Sequence, residues 1–170
     1  KVVNIASRCA GFIHRSFDGR LAERLAEPEL YDSFLAERPT IAADYEARNY
    51  QAAVRRIMAL ADRANRYIDE HKPWLLIKEE GREAEVQGIC TQGINLFRVL
   101  MTLLAPAIPF TAEKSAAFLG RPVNLWSDLD RPLIGEQLEP FRPLMMLVDP
   151  KRVEALIDAS KESLQPAAAE

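Results

Sequence analysis

The sequence predicts an all-α helix bundle. Apolar residues recur at helical spacing in three long segments, near residues 1–17, 45–74 and 84–104. Proline and glycine concentrate between such segments, and no alternating run is long enough to build a sheet. The 170 residues suffice for one domain with a real core, and 48% hydrophobic with 28% charged content is ordinary for a globular chain. A single domain over residues 1–170 is expected, with a bundle over 1–119, a wrapping loop over 120–148 and a last helix over 150–164. No apolar run has the length of a membrane span, and no signal peptide is visible. The chain begins at Lys1 with residues that already look helical, as expected of a domain from a longer protein.

Residues 1–17 form the first predicted helix. Val2, Ile5, Cys9, Phe12, Ile13 and Ser16 share one side of it. Asn4, Arg8, Gly11 and Arg15 share the opposite side, a polar stripe with a glycine that lowers its profile. Asp18-Gly19 ends this helix, and residues 29–37 make a short second one closed by Pro39. Thr40 is the predicted N-cap of a long central helix starting near Ile41 and stopping at His71-Lys72, because Pro73 excludes the α region for the residue before it. Tyr50, Val54, Ile57, Met58, Ala61 and Ile68 make its buried face, and Asn65 falls on that side as an amide bonded to a neighbouring helix or loop. Leu75, Leu76 and Ile77 should pack beneath the corner at Pro73-Trp74. The helix over 84–104 should be the most buried, followed by one over 110–119. Residues 120–143 read as an ordered loop pinned by Trp126, Leu133 and Phe141. Asp149-Pro150 opens a last helix carrying Val153, Leu156 and Ile157, and residues 165–170 should fray.

Motifs for catalysis are lacking. His14 and His71 have no nucleophile or acid at a spacing that suggests a triad, and no phosphate-binding glycine loop occurs. Asp69-Glu70-His71 is a charged helix end in preference to a metal site. Cys9 and Cys90 form no CxxC pair and should be buried, reduced thiols, as in a cytoplasmic protein. The formal net charge of -3 disfavours non-specific attraction to a polyanion, so a nucleic-acid partner must be held by a local patch and base contacts.

Three separated motifs nevertheless resemble one family. They are Val3-Asn4-Ile5-Ala6-Ser7-Arg8 with Ala10-Gly11-Phe12-Ile13; Ala59-Leu60-Ala61-Asp62-Arg63-Ala64-Asn65-Arg66-Tyr67-Ile68-Asp69-Glu70 running to Pro73-Trp74; and Gly93-Ile94-Asn95-Leu96-Phe97-Arg98-Val99-Leu100-Met101 with Leu104-Ala105-Pro106. In order and along essentially the whole chain, they are similar to the anticodon-binding domain of bacterial methionyl-tRNA synthetases, class I enzymes. The resemblance implies a helical domain that recognises the CAU anticodon of the tRNA for methionine. Trp74 would stack on the first anticodon base, and Asn4 and Arg8 would read it. It implies no catalytic or metal-binding residue and no cofactor in this stretch. ATP, magnesium and in some members a structural zinc belong to an upstream catalytic domain of the same chain, whose HIGH and KMSKS signatures do not occur here. The expected partners are that domain and the tRNA, with no DNA and no membrane.

Two alternatives stand beside this reading. One is an anticodon domain of another class I synthetase, of cysteinyl or leucyl type. The other is a helical protein-interaction module, for which Trp74 should be buried against Leu75 and Ile77 with Asn4 and Arg8 far away.

Overall fold

The computed structural model describes residues 1–145 and 150–163, with side chains to residue 160. The bundle is built around α6 (Glu83–Leu104), in which every residue from Ile89 onward is buried. α1 (Val2–Phe17) and α4 (Tyr50–His71) make the largest contacts with it. α1 turns Val2, Ile5, Cys9 and Ile13 inward, joined by Ala6 and Ala10. The two helices approach closely at Gly93, where a Cβ would lie 2.6 Å from the Cys9 sulfur, so any larger residue would force them apart. Cys9 and Cys90 are both free and fully buried. α2 (Pro28–Leu35), the short α5 (Pro73–Leu76) and α7 (Pro109–Leu119) also contact α6.

A helix buried on all sides would be expected to be wholly apolar, yet α6 carries a polar stripe at Thr91, Asn95, Arg98 and Thr102, with Gln92 beside it. Most of that stripe holds connecting segments. Thr91 Oγ1 accepts from the Ala22 N–H at 2.8 Å, and Gln92 Oε1 accepts from the Glu27 N–H at 3.1 Å. Asn95 clamps Leu133, accepting from its N–H at 2.7 Å and donating to its carbonyl at 2.8 Å. Arg98 donates to the carbonyls of Arg131 and Asp128 at 2.7 and 2.9 Å. Loop backbone taken out of water must find such partners, and α6 supplies them. The segment after α7 is thereby tied to the bundle, with Leu133 buried and Trp126 and Phe141 partly buried against the core. Its described residues include a 3-10 turn, Trp126–Asp130. Among the described residues the only β pairing is an isolated bridge between Arg20 and Gln137.

The central helix differs from expectation. It is two helices, α3 (Arg38–Glu46) and α4, with residues 47–49 between them. Arg48 takes a left-handed φ of 58° there, and the Asn49 side chain caps α4 by accepting from the Ala52 N–H at 3.4 Å. Thr40 is therefore inside α3 and caps nothing, and Pro39 lies in the first turn of α3 instead of closing α2. Tyr50, at the first position of α4, is 58% exposed and rests against the Tyr45 ring. Asn65 bonds the Ala61 carbonyl of its own helix at 2.8 Å, not a neighbour. The corner runs into α5 directly, with Leu76 and Ile77 against the core and Leu75 47% exposed. The last helix, α8 (Pro150–Ser163), leaves Val153, Leu156 and Ile157 exposed. Asp149 as its cap and the fraying of residues 165–170 fall outside the described residues.

Candidate functional site

α4 ends where the sequence requires. Lys72 adopts φ 46°, ψ 58°, its N–H bonds the Ile68 carbonyl at 3.0 Å, and Pro73 opens α5 in the next position. Pro73 is buried, and Trp74 is half-buried and packed against the core. α1 runs alongside, fastened to α4 by two ion pairs on its outer face. Lys1 Nζ lies 2.8 Å from Asp62, and Arg8 Nη2 lies 2.5 Å from Asp69.

Arg8 joins the two halves of the site. Its guanidinium carbon sits 4.7 Å from the centroid of the Trp74 ring, within cation–π range, while Asp69 holds its other end. Asn4 is exposed one turn earlier on the same face of α1, where i and i+4 side chains stand about 6 Å apart. The structure thus brings Arg8 to Trp74, 66 positions away in the chain, and sets Asn4 next to Arg8. This is the opposite of the arrangement required of an interaction module, in which Arg8 would be remote from the indole.

Asp69 is a member of this cluster that sequence reasoning passed over. It was legible only as one acid of a charged helix end, because nothing in the sequence pairs it with a residue 61 positions earlier. The other residues of that end face elsewhere. His71 Nδ1 donates to the Tyr67 carbonyl at 2.8 Å, and its Nε2 lies 3.3 Å from Glu27. The Tyr67 ring packs against the imidazole at a tilt of 41°, and burial pushes its hydroxyl pKa far above the usual phenol range. Among the described residues no group of His, Cys, Asp or Glu gathers in the way a metal ion needs. Nor is any described helix long and apolar enough to cross a membrane. What the corner offers is a rigid aromatic surface, an adjoining guanidinium and an adjoining amide. Such a set stacks on and hydrogen-bonds to a flat polar ring.

A family profile described as "Anticodon binding domain of methionyl tRNA ligase" matches residues 20–147. Trp74 lies inside that stretch, and Asn4 and Arg8 lie before it. The chain is 50% identical over 169 residues to a methionine–tRNA ligase of Stenotrophomonas maltophilia (strain R551-3), covering 99% of this chain and 24% of that relative. It therefore spans about a quarter of the relative's length. The fold is similar to that of apo methionyl-tRNA synthetase from Mycobacterium tuberculosis, with TM-score 0.78 and 22% identity over 86% of this chain and 32% of the other. The same enzyme bound by methionyl-adenylate aligns with TM-score 0.77 and 21% identity, over 85% and 30% of the two chains.

Proposed function

This chain belongs to the family of anticodon-binding domains of methionyl tRNA ligases, and on that premise we propose that it reads the CAU anticodon of the tRNA for methionine as the recognition part of a larger cytoplasmic ligase. Membership in this family sets aside the cysteinyl and leucyl alternatives. ATP, magnesium and any structural zinc belong, in this reading, to the catalytic domain that makes up much of the remaining length. The observation that carries the reading is the Arg8 guanidinium over the Trp74 ring, since those residues come from separate motifs and meet at one corner.

Single-stranded RNA is recognised by splaying bases out, stacking them on aromatic rings and bonding their Watson–Crick edges. The first base of CAU is cytosine, with acceptors at O2 and N3 and an amino donor. In the free protein Arg8 covers one face of the indole. Cytosine stacking on that face takes the guanidinium's place, and the displaced Arg8 donors turn to the base acceptors. Asn4, one turn away, contributes both a donor and an acceptor.

Titration of stem-loops carrying CAU and its first-base variants tests this. The CAU loop should bind tightest. Arg8→Ala should narrow the gap between cytosine and the other bases by about 1–3 kcal/mol, the worth of one good bidentate base contact in DNA readout. Equal weakening for all four bases would make Arg8 a phosphate contact and contradict its place in base reading.

A further inference from the structure

A base held on Trp74 brings its phosphate to the same corner, where the acid Asp69 stands on the last turn of α4. Arg8 is ill-suited to offset that charge, because Asp69 holds it at 2.5 Å and its remaining donors are assigned to the base. Glu79 is likewise engaged, by Arg82. Lys72 is not: it is exposed and makes no ion pair or side-chain hydrogen bond among the described residues.

Its backbone is the second observation. Lys72 has φ 46°, ψ 58°, the left-handed region that a helix C-terminus fills most readily with glycine. Of the other non-glycine residues with positive φ, Asp18 is of a type that visits this region routinely, and Arg48 lies in the turn between α3 and α4. Lys72 alone adjoins the aromatic corner. A side chain retained where its absence would relax the backbone points to work done by that side chain. The αL turn also fixes its origin two residues from the indole.

Resting on the reading of Trp74 as a base platform, we propose that Lys72 binds the backbone phosphate of the nucleotide stacked there. The contact is to charge alone, so it adds affinity without base preference.

The test compares Lys72→Gly and Lys72→Arg with the unmodified chain, in titrations of the CAU stem-loop and its first-base variants over a range of salt. Lys72→Gly should weaken all the loops alike, by roughly three- to tenfold at low salt, and flatten the dependence of log affinity on log salt by about 0.7. Its melting temperature should be unchanged or raised, because glycine suits the αL turn, which separates lost contact from lost fold. Lys72→Arg should keep most of the binding. Arg55→Gln serves as control: Arg55 is an exposed, unpaired cation 17 positions earlier on α4, about 25 Å away along the helix. Unchanged affinity and salt slope in Lys72→Gly would overturn the proposal and leave Lys72 a helix cap. Equal losses in Lys72→Gly and Arg55→Gln would overturn it in favour of diffuse attraction, and loss confined to the CAU loop would make Lys72 a base reader. Failure of the unmodified chain to prefer CAU sinks the anticodon reading itself, whereas the outcomes above leave that reading standing.

Discussion

Trp74 decides whether the corner is a platform or a plug, and its surroundings favour the platform. Pro73 beneath it is buried, the indole itself is half-buried, and a guanidinium occupies the ring face at 4.7 Å. A ring fixed in this way loses little entropy when a base replaces the guanidinium. A fully buried tryptophan costs about 3–5 kcal/mol of stability on truncation to alanine. Trp74→Ala should cost clearly less, because Trp74 is only partly buried. Its effect on binding should be large: about 1–3 kcal/mol for the lost stacking surface. Trp74→Phe should keep part of that affinity. Thermal unfolding of each variant beside stem-loop titration separates the two roles. A collapse in melting temperature, with tight RNA binding retained in the cold, would refute the platform.

α4 is the element that delivers this corner, and its two ends are fixed by different means. The C-terminal end is set by proline and a left-handed lysine. The N-terminal end depends on Asn49, whose side chain accepts from the Ala52 N–H. Asn49→Ala should destabilise the chain by about 1 kcal/mol, as loss of an N-cap does. It should leave CAU affinity unchanged, since the cap is a full helix length from Trp74; paired denaturation and binding curves check both halves. This cap also marks where the sequence stopped being readable. Residues 45–50 contain no proline or glycine and tolerate a helix, so periodicity carried the helix straight through. The break depends on α3 being held by contacts from afar: the Tyr45 hydroxyl donates to the Leu103 carbonyl at 2.9 Å, and Arg56 meets Asp44 at 2.8 Å. The faces of α1 and α6 were legible because burial acts on every turn of them. Trp74, Asn4 and Arg8 were named as candidates through motif resemblance, while Asp69 needed the fold, because its bond to Arg8 spans 61 positions. The polar stripe of α6 was hidden for the same reason, since its partners are loop backbones.

At the scale of the whole molecule, that stripe makes the bundle and its wrapping segment one structure, and Tyr31 closes the join from α2. Tyr31 is 2% exposed, and its hydroxyl donates to the Leu129 carbonyl at 2.8 Å, beside the segment that Arg98 holds. Burial raises its pKa from 10.0 to about 12, against the opposing pull of the Arg98 and Arg38 cations. In the unfolded chain the phenol ionises near its ordinary value, whereas in the folded chain it keeps its proton longer. The folded state therefore binds more protons between these two values, and stability falls as pH rises through that window. Below the ordinary phenol pKa the contribution is fully present; by about pH 12 roughly 2 kcal/mol is lost through this one group. Tyr67, also raised by burial, acts in the same direction. Tyr31→Phe removes the titration along with the bond to Leu129. It should be less stable than the unmodified chain near neutrality, with the difference narrowing steadily above about pH 10. Denaturant unfolding of both proteins from about pH 9 to about pH 12 measures that difference. Deprotonation of lysines affects both chains alike and cancels in the comparison. Parallel curves would mean that Tyr31 ionises as easily folded as unfolded, and that the join between α2 and the wrapping segment opens before the bundle does.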